Sequence, residues 1–253
     1  MKSIQDPKVI ICLPARNVAK TLQLTLNEIP EEYKKYIILV DNASKDDTVR
    51  LAREADLKVI QHETDRGYGG SQKTLYSTAL ADGADIVVML HPDHQYDAKV
   101  IPDLVRPIMR GEADAVFGSR MLGGRPMEGG MPLWKYIANI FLTAFANIAF
   151  RRYLSEIHSG FRAYSRHYLE TVRFEENSND FVFDTEIIAQ GMACNLFFRE
   201  APIVTRYFPE ASSINFSNST VYGTGILFTL IKYVAHNLHL VRIQSFTPKI
   251  SQA

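Results

Sequence analysis

The segment VVMLHPDHQYDAKVIPDL (residues 87–104) runs from strand-forming apolar residues straight into His91, Pro92, Asp93, His94 and Gln95. A carboxylate and imidazoles at the end of a buried strand could do chemistry. In open α/β sheets ligands bind at the carboxyl ends of the strands, and a carboxylate placed there can hold a divalent cation through oxygen. The local alternative is that Asp93 caps a turn, since Pro-Asp is common turn chemistry, and that His91 is a hydrogen-bonded residue at the rim of a core. The choice depends on what the neighbouring elements bring to the same place.

Five apolar runs read as strands: KVIICLP, YIILVDN, LKVIQHE, ADIVVML and ADAVFGS. Between them lie four helical segments: from Val18 to Asn27, from SKDDT through VRLAREA, one that follows the glycines of DRGYGGS and runs to Leu80, and a helix whose Val100, Ile101, Leu104, Val105 and Ile108 share one face. The strands are almost continuously apolar instead of alternating. That pattern predicts an α/β protein with a Rossmann-like, doubly wound, mostly parallel sheet covered on both faces.

Beyond Gly118 the rhythm changes. MLGGRPMEGGMP predicts a glycine-rich loop or lid. A long helix follows with Leu133, Ile137, Ile140, Phe141, Ala144, Phe145 and Ile148 in one stripe, and a C-terminal helix over 225–242 carries Leu227, Leu230, Ile231, Val234, Leu238 and Val241 in another. Such stripes ordinarily face a core. The two apolar stretches fall short of the about 20 residues needed to span a bilayer, so the chain is not expected to cross one.

Composition narrows the function classes. The 253 residues are 46% hydrophobic and 22% charged, with 28 basic against 28 acidic side chains. A neutral chain does not grip nucleic acid by bulk electrostatics. Cys12 and Cys194 are far apart and form no CxxC, which argues against a disulfide framework or a zinc site. The polar N-terminus is unlike a signal peptide, and a cytoplasmic location is expected.

The order of the motifs resembles the family 2 glycosyltransferases, enzymes of the A-type glycosyltransferase fold that use nucleotide sugars, and within them the dolichyl-phosphate mannose synthase-like branch. LPARN (13–17) and VDNAS (40–44) stand where the family carries its motifs after the first and second strands. RGYGGSQKTLYSTA resembles the glycine-bearing turn after the third, and MLHPDHQY occupies the place of the Asp-x-Asp-x-Gln metal motif. GSR (118–120) and EIHSGFRAYSR (156–166) resemble the family's Gly-Ser-Arg and acceptor-side segments.

The resemblance implies one glycosyltransferase domain over 1–253. Residues up to about 120 would bind the nucleotide sugar, and those from about 121 the acceptor. Asp41 would accept from a ring N–H of the base, with Pro14, Ala15 and Asn17 walling the pocket and Gly67, Gly69 and Gly70 letting backbone approach the nucleotide. Asp93 would ligate Mg²⁺ or Mn²⁺. His91 replaces the family's first aspartate, and an imidazole favours Mn²⁺, or a hydrogen bond to ribose or phosphate, over all-oxygen Mg²⁺ ligation; Gln95 matches the family's glutamine. Arg120 and Arg162 are candidate phosphate clamps, because guanidinium pairs bidentately with phosphate. Glu156 would orient Arg162 or substrate, and Ser159, Arg206 and Ser213 fall on the acceptor side. Asp184 and Glu186 are candidate general bases for a hydroxyl acceptor, whereas a phosphate acceptor needs none.

The expected reaction is inverting sugar transfer from a UDP- or GDP-sugar to a glycan or a polyprenyl phosphate in cell-envelope glycan synthesis. Competing classes are a nucleotidyltransferase, although LPARNVAKTL lacks that chemistry's glycine-rich loop, and a catalytically degenerate nucleotide-sugar-binding module. Lys232, His236, His239 and Arg242 beside the C-terminal stripe suit peripheral contact with the inner face of an anionic membrane. A buried helix pair or a homodimer contact explains the stripes as well.

Overall fold

The computed structural model describes residues 3–123, 126–207 and 216–249, with side chains described up to Tyr207 and again from Tyr222. Its centre is a seven-stranded sheet in the order β3-β2-β1-β4-β6-β5-β7. The strands are β1 (Val9–Ala15), β2 (Ile37–Asn42), β3 (Lys58–His62), β4 (Ile86–Met89), β5 (Ala115–Ser119), β6 (Arg162–Ser165) and β7 (Phe198–Pro202). The first four pair in parallel, as the unbroken apolar runs predict.

The expected parallel progression stops at β4. β6 inserts antiparallel between β4 and β5, with Arg162 opposite both Met89 and Phe117. The antiparallel insertion brings the segment 156–162 alongside the end of β4, where Asp93 sits. Residues 160 and 91 are distant in sequence and adjacent in the fold.

The helices are α1 (Leu22–Glu28), α2 (Thr48–Glu54), α3 (Gly67–Ala81), α4 (Ile101–Met109), α5 (Leu133–Phe150), α6 (Arg166–Thr171), α7 (Phe183–Ala193) and α8 (Phe216–Asn237). They build a core on each face of the sheet. On one, Leu22, Leu26, Leu104 and Ile108 cover Ile11, Leu39 and Val88. On the other, Leu75, Tyr76, Ala146, Phe150, Ile187 and Leu230 cover Ile10, Val40 and Met89.

Two expectations are corrected. The glycines after β3 form the first turn of α3, not a loop before it, and the chain they approach is their own. A Cβ on Gly69 would stand 2.4 Å from the Ser178 carbonyl oxygen, and one on Gly67 would meet the Asn179 carbonyl oxygen just as closely. The apolar stripe of α5 also does not face a core. Ile137, Phe141, Phe145 and Ile148 are exposed, while Asn139, Thr143, Ala146 and Phe150 are the buried face. On α8 only Leu230 of the expected stripe is buried.

Candidate active site

A cavity of about 610 Å³, within the usual size of a small-molecule site, opens at the carboxyl ends of β1, β2 and β4. One wall holds Pro14, Ala15 and Asn42 from the ends of β1 and β2; the floor holds His91, Pro92, Asp93 and Gln95 from the loop after β4. Tyr68 and Ser71 of α3, and Phe181 and Asp184 at the start of α7, close a second side. Trp134, Lys135, Asn139 and Leu142 of α5 form the third. Parallel strands end in exposed backbone and short loops, so chemistry-bearing side chains from distant segments meet at that edge.

Asp93 holds the turn weighed from sequence and also lines the cavity; its Oδ1 accepts the Gln95 N–H at 3.2 Å. His91 stacks on Tyr68 with ring centroids 5.6 Å apart. A Cβ on residue 160 would lie 2.5 Å from His91 Nε2, so Gly160 is what leaves room for the imidazole. Burial pulls His91 below its ordinary value against the opposing pull of Asp93 and Asp184, so the ring is held neutral, the ligand-competent form. Asp93 and His91 therefore fit a divalent cation. No group of three or more metal-ligating side chains occurs among the described residues. Two protein ligands suit an ion completed by substrate phosphate and water.

Beneath the floor lies a buried ionic network. Arg162 Nη1 stands 3.1 Å from Asp184 Oδ1, and its other donors go to the Ser159 carbonyl (2.7 Å) and the Ile157 carbonyl (3.0 Å). Asp184 also accepts from Gln72 Nε2 on Oδ1 and from Tyr68 Oη on Oδ2, each at 2.9 Å. Burial of Tyr68, reinforced by the Asp184 charge, drives its phenol well above the ordinary range, so Tyr68 acts as a donor.

A second buried pair joins the end of β5 to the segment before β6. Arg120 forms a tight ion pair with Glu156, its backbone N–H reaches Glu156 Oε2 at 2.7 Å, and its Nη1 donates to Tyr207 Oη at 2.8 Å. Asn139 Nδ2 donates to Glu156 Oε1 at 2.6 Å. Burial opposes ionisation of Glu156, but the Arg120 charge and these hydrogen bonds outweigh it and hold the carboxyl below its ordinary value. Lys135 has no carboxylate within ion-pair distance among the described residues. Burial, then the Arg120 charge, depress its ammonium.

The remaining candidates sort by position. Asp41 is fully buried behind Asn42 and stands outside the cavity lining; its Oδ2 accepts the Ser44 N–H at 3.3 Å, and its Oδ1 is buried with no partner among the described residues. Asn17, at φ 53°, stands outside the lining and braces the loop after β2 by accepting the Lys45 N–H at 2.8 Å. Gly69 packs α3 on the 178–183 segment instead of touching the cavity. Arg162 lies under the floor with its donors committed inside the protein, which removes it as a direct clamp.

Ser159 is buried with it, its hydroxyl accepting the Phe161 N–H at 3.3 Å. Glu186 points away from the cavity and accepts the Ser178 N–H at 2.6 Å, so it is not placed to serve as a base. Arg206 pairs with Glu28 at 3.0 Å, outside the lining. Ser213 lies outside the described residues. Sequence reasoning missed Tyr68, Gln72, Lys135, Asn139 and His158. The signal for Asn139 and Lys135 was present, as polar side chains interrupting an otherwise apolar helix.

Residues 10–173 match the family described as Glycosyl transferase family 2. Among curated relatives, UDP-N-acetylglucosamine–dolichyl-phosphate N-acetylglucosaminyltransferase of Methanococcus voltae is 26% identical over 80% of this chain and 87% of its own length. Low-salt glycan biosynthesis hexosyltransferase Agl6 of Haloferax volcanii is 33% identical over 70% of this chain and 41% of its own. Among solved structures, glucosyl-3-phosphoglycerate synthase from Mycobacterium tuberculosis in complex with Mn²⁺, UDP and glucosyl-3-phosphoglycerate aligns at TM-score 0.66 and 19% identity, covering 91% of this chain and 81% of that one. That likeness establishes the shared fold.

Proposed function

The chain belongs to glycosyl transferase family 2 and is a glycosyltransferase, and we propose that it transfers a sugar, with inversion, from a UDP- or GDP-sugar to a phosphate-bearing acceptor, a polyprenyl phosphate. The observation that carries this reading is the state of Asp184. Of the two carboxylates weighed as bases, Asp184 is the one that lines the cavity, and it is already spent. Three donors, one of them the buried Arg162 guanidinium, occupy its two oxygens. Taking a proton from an acceptor hydroxyl would leave Arg162 without its counter-charge inside the protein, at a cost of about 3–5 kcal/mol. An ionised phosphate oxygen needs no base: it attacks the anomeric carbon, the bond to the nucleoside diphosphate breaks, and no proton moves.

Within this reading residues up to about 120 hold the donor. Asn42, Pro14 and Ala15 frame the base, and the orphaned Asp41 Oδ1 takes its N–H. Asp93 and His91 would hold Mg²⁺ or Mn²⁺, which supplies charge for the leaving diphosphate. Arg120, braced by Glu156, and Lys135 face the acceptor phosphate, and Tyr68, Gln72 and Arg162 keep Asp184 fixed beneath it. The named activity of the Methanococcus voltae relative, transfer to dolichyl phosphate, supports the same acceptor class. The place of work would be the cytoplasmic face of a membrane.

The test is release of nucleoside diphosphate from UDP- and GDP-sugars with Mn²⁺, offered either short-chain polyprenyl phosphates or the corresponding polyprenols. Turnover with the phosphates alone is expected. Equal turnover with the free alcohols would sink the proposal, and pyrophosphate release from a nucleoside triphosphate would point to a nucleotidyltransferase instead.

A further inference from the structure

α5 has two faces with opposite tasks. Lys135, Asn139 and Leu142 line the cavity, while Ile137, Phe141, Phe145 and Ile148, one turn apart along the helix, stand exposed on its outer side. Ile148 is 76% exposed and Phe141 60%. α8 packs beside α5, with Tyr233 edge-on to Phe150 at 4.9 Å, and it exposes Phe228 and Ile231 in turn. Of α5, 18 residues with mean hydropathy 1.3, only 22% is buried. Uncovered apolar surface on this scale marks an interaction site.

The charge pattern identifies the occupant. The chain has no Asp or Glu between Glu128 and Glu156, and none after Glu210. Those two acid-free stretches contain α5 and α8, in a protein whose acidic and basic residues balance at 28 each over the whole chain. They do carry cations. Arg151 and Arg152 are exposed at the end of α5, Arg242 is exposed past α8, and the Lys232 ammonium sits 4.4 Å from the Phe228 ring. None of these four has a carboxylate within ion-pair distance among the described residues. An apolar face rimmed by cations and emptied of carboxylates is complementary to anionic headgroups over acyl chains. A second copy of this face would set like charges against each other.

We propose that the outer faces of α5 and α8 form a docking surface for an anionic lipid bilayer, which seats the cavity mouth at headgroup level. The inference rests on the lipid-linked acceptor proposed above and deepens it. Because the same helix is membrane surface on one side and cavity wall on the other, a lipid phosphate can enter sideways past Trp134 and Lys135 without leaving the membrane plane. The polyprenyl chain stays among lipids while its phosphate reaches the site.

The test is cosedimentation of the full chain with acceptor-free vesicles of phosphatidylcholine alone or with phosphatidylglycerol in about equal amounts, using wild type and Phe141→Glu/Ile148→Glu. Wild type is expected to sediment with the anionic vesicles, less so at high salt, and hardly with the neutral ones. The double variant, altered only at exposed positions, should keep its Tm, lose roughly tenfold in vesicle binding, and still transfer sugar to a short water-soluble polyprenyl phosphate at the wild-type rate. Wild type that ignores anionic vesicles, a variant that binds them equally well, or a wild-type dimer that the variant splits without any vesicle binding would each overturn the docking surface. Since the vesicles carry no acceptor, a protein that binds them yet accepts no phosphate retains the docking surface and refutes the acceptor reading.

Discussion

Tyr68 Oη donates to Asp184 Oδ2 at 2.9 Å and ties the first turn of α3 to the first turn of α7. The same ring is sandwiched between His91 and Phe181, at 5.6 and 4.8 Å. The loop after β4 and the start of α7 are thereby joined through one phenol. Tyr68→Phe keeps the stack and leaves a carboxylate oxygen short of a donor, so it should cost about 1–3 kcal/mol of stability. If Asp184 is a fixed counter-charge and not a base, this variant's kcat should fall less than roughly tenfold with no new ionisation in the pH–rate profile. A new limb in that profile would restore Asp184 as a base.

Asp93→Ala is expected to abolish turnover while costing about 1–3 kcal/mol of stability, since it removes a buried acceptor that holds the Gln95 N–H. Thermal unfolding together with a metal titration of activity checks it. Turnover near wild type at saturating Mn²⁺ would remove Asp93 from the metal site.

Gly160→Ala should disable the enzyme through His91, because the new Cβ needs the space held by Nε2 at 2.5 Å. Gly69→Ala should behave in the opposite way. Its Cβ collides with the Ser178 backbone oxygen, so Tm falls while the folded protein binds nucleotide with nearly unchanged Kd. Calorimetry and nucleotide titration of both variants separate the two roles, and a Gly69 variant of normal Tm but weak binding would return that glycine to the nucleotide.

Asp41→Ala should weaken UDP or GDP binding more than it slows transfer, since a contact to the base is present equally in ground and transition states. Titration of the nucleotide alone measures it. Normal affinity with low turnover would show that Oδ1 waits for something else.

Glu156 makes the fold acid-sensitive. Its folded carboxyl lies below the ordinary 4.5, so the pair with Arg120 contributes stability that is full above that value and lost as pH falls through the folded one. Glu156→Gln should lower stability at pH 7 by about 3–5 kcal/mol and flatten its decline in acid. Denaturant midpoints across that range give the slope, and an unchanged slope would remove Glu156 as its source.

The residues themselves disclosed the parallel half of the sheet. Continuous apolar runs ending in Pro14, Asp41 and Asp93 report both burial on two faces and the polar edge where a ligand binds, and these are local properties of a strand and the loop after it. The order of those endings carried the family. Three things had no local signature. That β6 runs antiparallel between β4 and β5 depends on pairing between segments some 70 residues apart, and only that pairing puts Gly160 against His91. Arg162 and Asp184 both read as reactive groups because a charge in sequence shows no partner; the fold set them 3.1 Å apart and buried as an ion pair. The stripe of α5 fixes which residues share a face, but periodicity is blind to which face the core takes. In α5 the core and cavity took the side bearing Asn139 and Thr143, because Glu156 and the cavity wall needed polar partners there, and the apolar side was left facing out.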